Sequence, residues 1–194
     1  MSREKEIKYF TNKELKALFK AIENDSSKYA ARNEAIFKIA YYCALRVSEV
    51  SLIENDDFNS TRNELYCRRL KGSFNNTLKI IDKDVLRALK RYLRTQSSNN
   101  QCMFLSRNGK PISRKMLDFL MKKYCEEAKI HDKSKWHFHT LKHTRAVVLA
   151  EQGLDLKEIQ YWLGHKEVNN TQIYFQFTTS QQEFLYKKLN DYVY

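Results

Sequence analysis

The sequence predicts a mainly α-helical domain with one small antiparallel β-sheet, an α+β fold dominated by its helices. Three observations predict it. Only four glycines and one proline occur in 194 residues, so few positions can break a helix. Apolar residues recur at helical spacing through most of the chain. The stretch from about 57 to 82 departs from that period and reads as a hairpin.

The elements follow in order. Thr11, with Glu14 three residues on, is a capping box, and Leu15, Leu18, Phe19 and Ile22 form the stripe of a helix over 11–24. Asn24-Asp25-Ser26-Ser27 breaks it. A second helix over 28–45 shows Ala35, Ile36, Ile39, Ala40 and Cys43 on one face. A short helix starts at Ser48. Leu65-Tyr66-Cys67 and Leu78-Lys79-Ile80-Ile81 read as strands, with Lys71 to Asn76 as the turn between them. Helical spacing returns over 83–95 through Val85, Leu86, Leu89 and Leu93. A loop through Asn108-Gly109-Lys110-Pro111 leads to Ser113, the N-cap of a helix reaching about 128. A further helix runs from near His139 to Gly153. Asp155 with Glu158 caps the next, which stops at Leu163-Gly164. A last amphipathic segment over 179–190 carries Phe184, Leu185 and Leu189.

Composition narrows the function classes. Apolar residues at 42% and charged residues at 30% describe a chain that can bury a core. No apolar run approaches membrane-spanning length, and MSREKEIKYF lacks the apolar core of a secretory signal. The net charge of +12 favours a polyanionic partner, nucleic acid first, although a solvated basic surface has the same composition. Cys43, Cys67, Cys102 and Cys125 lie too far apart for a zinc ribbon, and read as reduced, mostly buried thiols.

Two clusters could carry chemistry. Arg46 in Ala44-Leu45-Arg46-Val47-Ser48-Glu49-Val50 follows an apolar helix. Alone it reads as a charge complementing the helix dipole. The second cluster is denser, with His137, His139, Lys142, His143 and His165 followed by Tyr174. His139 and Lys142 stand three apart at a helix start, where free backbone N–H groups also favour an anion. His139 and His143 have a zinc-ligand spacing, but no HExxH glutamate or nearby cysteine completes a site, so no metal is expected. His137 and His143 read as packed, hydrogen-bonded histidines. Tyr174 falls in a polar stretch and is expected to be exposed.

Taken in order, ALRVSEV, the hairpin lysine, HTLKHT, LGH and a tyrosine nine residues later resemble the tyrosine recombinase (phage integrase) family. The resemblance extends from about Lys8 to the C-terminus. It implies a helical catalytic domain with a small sheet, in agreement with the residue patterns. It further implies that Arg46 is the first catalytic arginine, with Glu49 supporting its guanidinium from i+3. Lys71 matches the hairpin lysine, His139 and His165 match the two box histidines, and Tyr174 matches the nucleophile. One position departs: the second box is usually HxxRH, and Lys142 stands where its arginine would be. A lysine keeps the charge but loses the planar two-pronged grip on phosphate. Arg145, three residues on, is a lesser candidate for the same site.

The implied mechanism needs neither metal, ATP nor other cofactor. Tyr174 attacks a phosphodiester of double-stranded DNA, His139 acts as base, and Arg46, Lys142 and His165 stabilise the phosphate. Lys71 protonates the leaving 5′ oxygen, and a 3′-phosphotyrosine forms. The expected organisation is a single catalytic domain over 1–194, with residues 1–10 as lead-in and 175–194 as a tail helix. The N-terminal core-binding domain common in the family is expected to be absent, as in a minimal recombinase or a fragment. A homo-oligomer on DNA, a tetramer by resemblance, is expected in the cytoplasm on the nucleoid, with no membrane partner. Two other functions fit the same residues: a catalytically weak DNA-binding regulator of a recombination site, and a type IB-like DNA-relaxing enzyme.

Overall fold

The computed structural model describes residues 7–70, 72–96, 100–175 and 186–189. Helix α1 (Asn12–Glu23) carries the expected reciprocal Thr11–Glu14 cap. Helix α2 (Ala30–Tyr42) is the central strut, and it is buried on every side rather than along one face. Its apolar residues Ile36, Phe37 and Ile39 pack in the main core, while Arg32, Asn33, Glu34 and Lys38 are buried with polar partners. A one-turn helix α3 (Val47–Val50) follows directly.

The sheet has three antiparallel strands in the order β1 (Phe58–Asn59), β2 (Glu64–Cys67), β3 (Asn76–Lys79), with Leu65 opposite Leu78. β1 is too short to show a period in the sequence. β3 starts and ends two residues before the expected run, because Asn76 is held at the strand's start by bonds from its amide to the Tyr161 and Trp162 carbonyls. Helices α4 (Lys83–Leu93), α5 (Arg114–Glu127), α6 (Thr140–Glu151) and α7 (Leu156–Leu163) lie where their periods and caps place them. A short helix α8 (Asn169–Gln172) and a 3-10 turn (Ile173–Phe175) complete the described fold.

Two apolar clusters divide the labour. The larger joins α1, α2, α4 and α5 through Leu18, Ile36, Phe37, Leu89, Leu117 and Tyr124. The smaller gathers Ala146, Val147, Leu149, Ile159, Leu163 and Tyr174 around Ala44. It fixes α6, α7 and the 3-10 turn against the end of α2, which brings residues far apart in sequence to one cavity. Among the described residues no helix is long and apolar enough to cross a membrane. Cys43, Cys67 and Cys125 are buried free thiols, and Cys102 is half-buried. Lys71 and most of the 179–190 segment, including Phe184 and Leu185, lie outside the described residues. Leu189 is described, and it is exposed.

Candidate active site

A cavity of about 540 Å³ is lined by Arg46, Arg114, His139, Lys142, His143, His165 and Tyr174, among others. Of the residues singled out in the sequence, the fold brings Arg46, His139, Lys142, His143, His165 and Tyr174 to it. Glu49 stands directly beneath.

Arg46 is the residue before α3, with extended backbone, and its side chain is 34% exposed. The carboxylate of Glu49 accepts from the Arg46 backbone N–H (2.8 Å) and from its guanidinium (2.7 Å). Arg46 also donates to Ser73 Oγ at 2.8 Å, which joins it to the hairpin. Burial pushes the Glu49 carboxyl up, but the Arg46 backbone bond and the charges of Arg69 and Lys142 outweigh it, so its pKa is lowered.

Arg69 was not foreseen. Its side chain is fully buried and pairs with Glu49 at 3.3 Å. It donates to the carbonyls of Cys43 (2.9 Å), Ala44 (3.2 Å) and Trp162 (2.9 Å), and to Asn76 Oδ1 (3.1 Å). One guanidinium thus ties the end of α2 to the hairpin and to α7. Strand alternation contains the signal: Leu65 and Cys67 point inward, so Arg69 does as well, and Tyr66 points out.

The hairpin and the α7 terminus are also joined by backbone. Phe74 N–H donates to the Gly164 carbonyl at 3.0 Å, and Ser73 bridges to His165. Gly164 ends α7 in the left-handed region at φ 67. A Cβ there would lie 2.8 Å from the Phe74 carbonyl oxygen, so the approach requires glycine.

Lys142 is 5% exposed, and its ammonium donates to the Leu163 carbonyl at 3.2 Å. Burial brings its pKa down to about 7, the charges of Arg46 and Arg69 push the same way, and Glu49 opposes them. His165 faces Thr171 Oγ1 at 3.0 Å. Burial and the cations Lys142, Arg46 and Arg69 lower it to about 3 against the pull of Glu49, so it is neutral at physiological pH. His139 is exposed at the mouth, and burial of part of its ring with the nearby His137 lowers its pKa.

Three expectations change. Tyr174 is 4% exposed rather than open, because it packs in the smaller cluster against α6. Burial raises its pKa well above that of a free phenol, with Arg46 opposing. Its hydroxyl lies 2.8 Å from Nδ1 of His143, the histidine expected merely to pack, and not beside the expected base His139. The helical period explains this. His143 is one turn further into α6, whereas His139 sits at the helix start and meets the His143 ring edge-on at 5.4 Å. Arg145 turns away from the cavity, with its guanidinium 4.9 Å from the Tyr42 ring centre and 5.0 Å from that of Trp162. Arg114, at the start of α5, lines the cavity without having been anticipated.

Comparison with known proteins places the chain in a family. The model of the phage integrase family matches residues 8–181. The chain is 29% identical over 171 residues to the type 1 fimbriae regulatory protein FimB of Escherichia coli (strain K12), covering 86% of this chain and 83% of FimB. The crystal structure of XerA recombinase superposes with a TM-score of 0.79 at 26% identity, over 93% of this chain and 64% of that one. The fold also matches XerH site-specific recombinase bound to palindromic difH substrate in a post-cleavage complex, with TM-score 0.79, 23% identity and coverage of 92% and 52%. The chain thus spans most of FimB but about half to two thirds of the two Xer chains. With its family model matched along most of its length, the chain belongs to the phage integrase family.

Proposed function

We propose that this chain is the catalytic domain of a site-specific recombinase that cleaves and rejoins double-stranded DNA through a 3′-phosphotyrosyl intermediate on Tyr174. One observation carries the reading: a single cavity gathers a phenol with Arg46, Lys142, Arg114 and three histidines. That is an anion site with a nucleophile at its wall. Arg46, held by Glu49 and Ser73, grips one non-bridging oxygen, and Lys142 places a point charge on the phosphate. His139 and His165 donate N–H groups to the remaining oxygens. Lys71 protonates the leaving 5′ oxygen, a role taken from the family resemblance alone. Fixed cations stabilise the transition state, so neither metal nor ATP is part of the scheme. The phosphotyrosine retains the energy of the bond it replaces. Residues 1–194 would act as one catalytic domain, assembled as a homo-oligomer on DNA, in the cytoplasm on the nucleoid.

The test is covalent capture. The protein is incubated with fragmented DNA from its source, denatured in detergent, and the protein-linked DNA is precipitated and sequenced, with Tyr174→Phe in parallel. Tyrosine-dependent enrichment of one sequence is the expected result. Specific retention of DNA without covalent linkage would favour a regulatory DNA-binding protein.

A further inference from the structure

We propose that His143 is the proton acceptor that activates Tyr174, a catalytic role distinct from the phosphate contacts of His139 and His165; the inference rests on the recombinase reading above. The geometry carries it. Nδ1 of His143 lies 2.8 Å from the Tyr174 hydroxyl, within the reach a general base needs. The two rings are 5.8 Å apart at 45°, inside the cavity that would hold the phosphate. His139 packs edge-on against the same ring, with its own flat face on His137 (5.4 Å, 13°), and so reaches the cavity from its mouth.

Protonation states are consistent with this. His143 faces His139 and Lys142 on its own helix and Tyr174 on the 3-10 turn, with Arg46 and Arg114 across the cavity. Burial, then the charges of His139 and Lys142, bring it down to about 4, so at neutral pH the ring is neutral and Nδ1 can accept from the phenol. Because Tyr174 is shifted up, the proton stays on the phenol at rest. Burial is the main cause of the low value, and an arriving phosphate anion offsets the charge of Lys142 that adds to it. As the Oη–P bond forms, the phenolic proton becomes acidic and passes to Nδ1. The P–O5′ bond breaks in the same displacement, and the 5′ oxygen takes a separate proton from the general acid, a role that the family resemblance gives to Lys71. Reversal returns both protons.

The experiment uses the full chain and the Tyr174-dependent capture on fragmented source DNA, with His143→Ala and His143→Gln beside the wild type. Circular dichroism melts identify any variant that fails to fold. Gln keeps an acceptor for the tyrosine but cannot take its proton, so both variants should form adduct about 10²–10⁴-fold more slowly. On a duplex of the captured sequence carrying a bridging 5′ sulfur, a leaving group that needs no proton, the deficit should persist. Wild-type rates in the Gln variant, or recovery on the sulfur substrate, would overturn the inference and leave the recombinase reading standing. No adduct from the wild-type protein would overturn both.

Discussion

Two lysines are buried almost equally in this molecule, and their surroundings are opposite. Lys38 is 4% exposed, and Lys142 is 5% exposed. Lys38, in the middle of α2, meets Glu23 at 2.8 Å, Glu34 at 2.9 Å and Asp84 in direct contact. Arg91 and Arg87 pair with the outer faces of Glu34 and Asp84. Burial lowers its pKa, but the carboxylates outweigh that and raise it above the ordinary value. Lys142 has a carbonyl at hydrogen-bond distance and arginines nearby, and its pKa falls. The first lysine is saturated and holds three helices together. The second is short of anionic partners, and the deficit faces a cavity. A buried cation lacking counter-charge is costly unless something supplies an anion, and a DNA phosphate is the natural candidate.

The largest effects should separate these two sites. Lys38→Met removes the cation shared by Glu23, Glu34 and Asp84, of which Glu34 is the most buried, so it should lower stability by about 1–3 kcal/mol, read in denaturant melts. Lys142→Ala should leave the melt unchanged or improved but lower the rate of covalent adduct formation about 10²–10³-fold. If both variants lost stability equally, the contrast would be broken. Gly164→Ala comes next. It forces an alanine into the left-handed region, which alone costs about 1–2 kcal/mol, and presses its methyl on the Phe74 carbonyl. Stability and adduct formation should fall together.

Smaller effects appear in pH titrations. A phosphate beside Lys142 holds the ammonium charged, so DNA affinity should weaken as pH rises above about 7. Lys142→Arg should flatten that limb, since a guanidinium does not deprotonate there. Salt-matched gel shifts from pH 6 to 9 would show it. At acid pH the buried histidines act on folding. With folded values of about 4 for His143 and about 3 for His165, both below the ordinary histidine value, the unfolded chain binds more protons between. Their contribution is therefore present above about pH 6.5 and lost as pH falls through the folded values, by at most about 1.4 kcal/mol per pH unit for each histidine. His143→Gln should reduce that slope in thermal melts.

Local signals in the sequence placed most of the fold. The capping boxes at Thr11 and Asp155 and the glycine at 164 set helix ends that the structure reproduces. The boxes around Arg46, His139 and His165 named residues that share one cavity. What escaped depends on tertiary contact. The burial of Tyr174 needs the cluster between α6 and α7, although Thr171 and Tyr174, three apart and both buried, hint at an inward helical face. The nearness of His143, and not His139, to the Tyr174 hydroxyl needs the position of the 3-10 turn. The role of Arg69 rests on its reach to Glu49 and to the carbonyls of Cys43 and Trp162, which lie far from it in sequence.

The backbone bond between Phe74 and Gly164, with the bridge from Ser73 to His165, has a mechanical consequence. The hairpin turn and the end of α7 cannot part without breaking shared hydrogen bonds, and Arg46 is roped to the same hairpin through Ser73. Locally cooperative segments open as units. The wall of the cavity is therefore one latch: opening the hairpin would release Arg46 and His165 together, and closing it would set both at once.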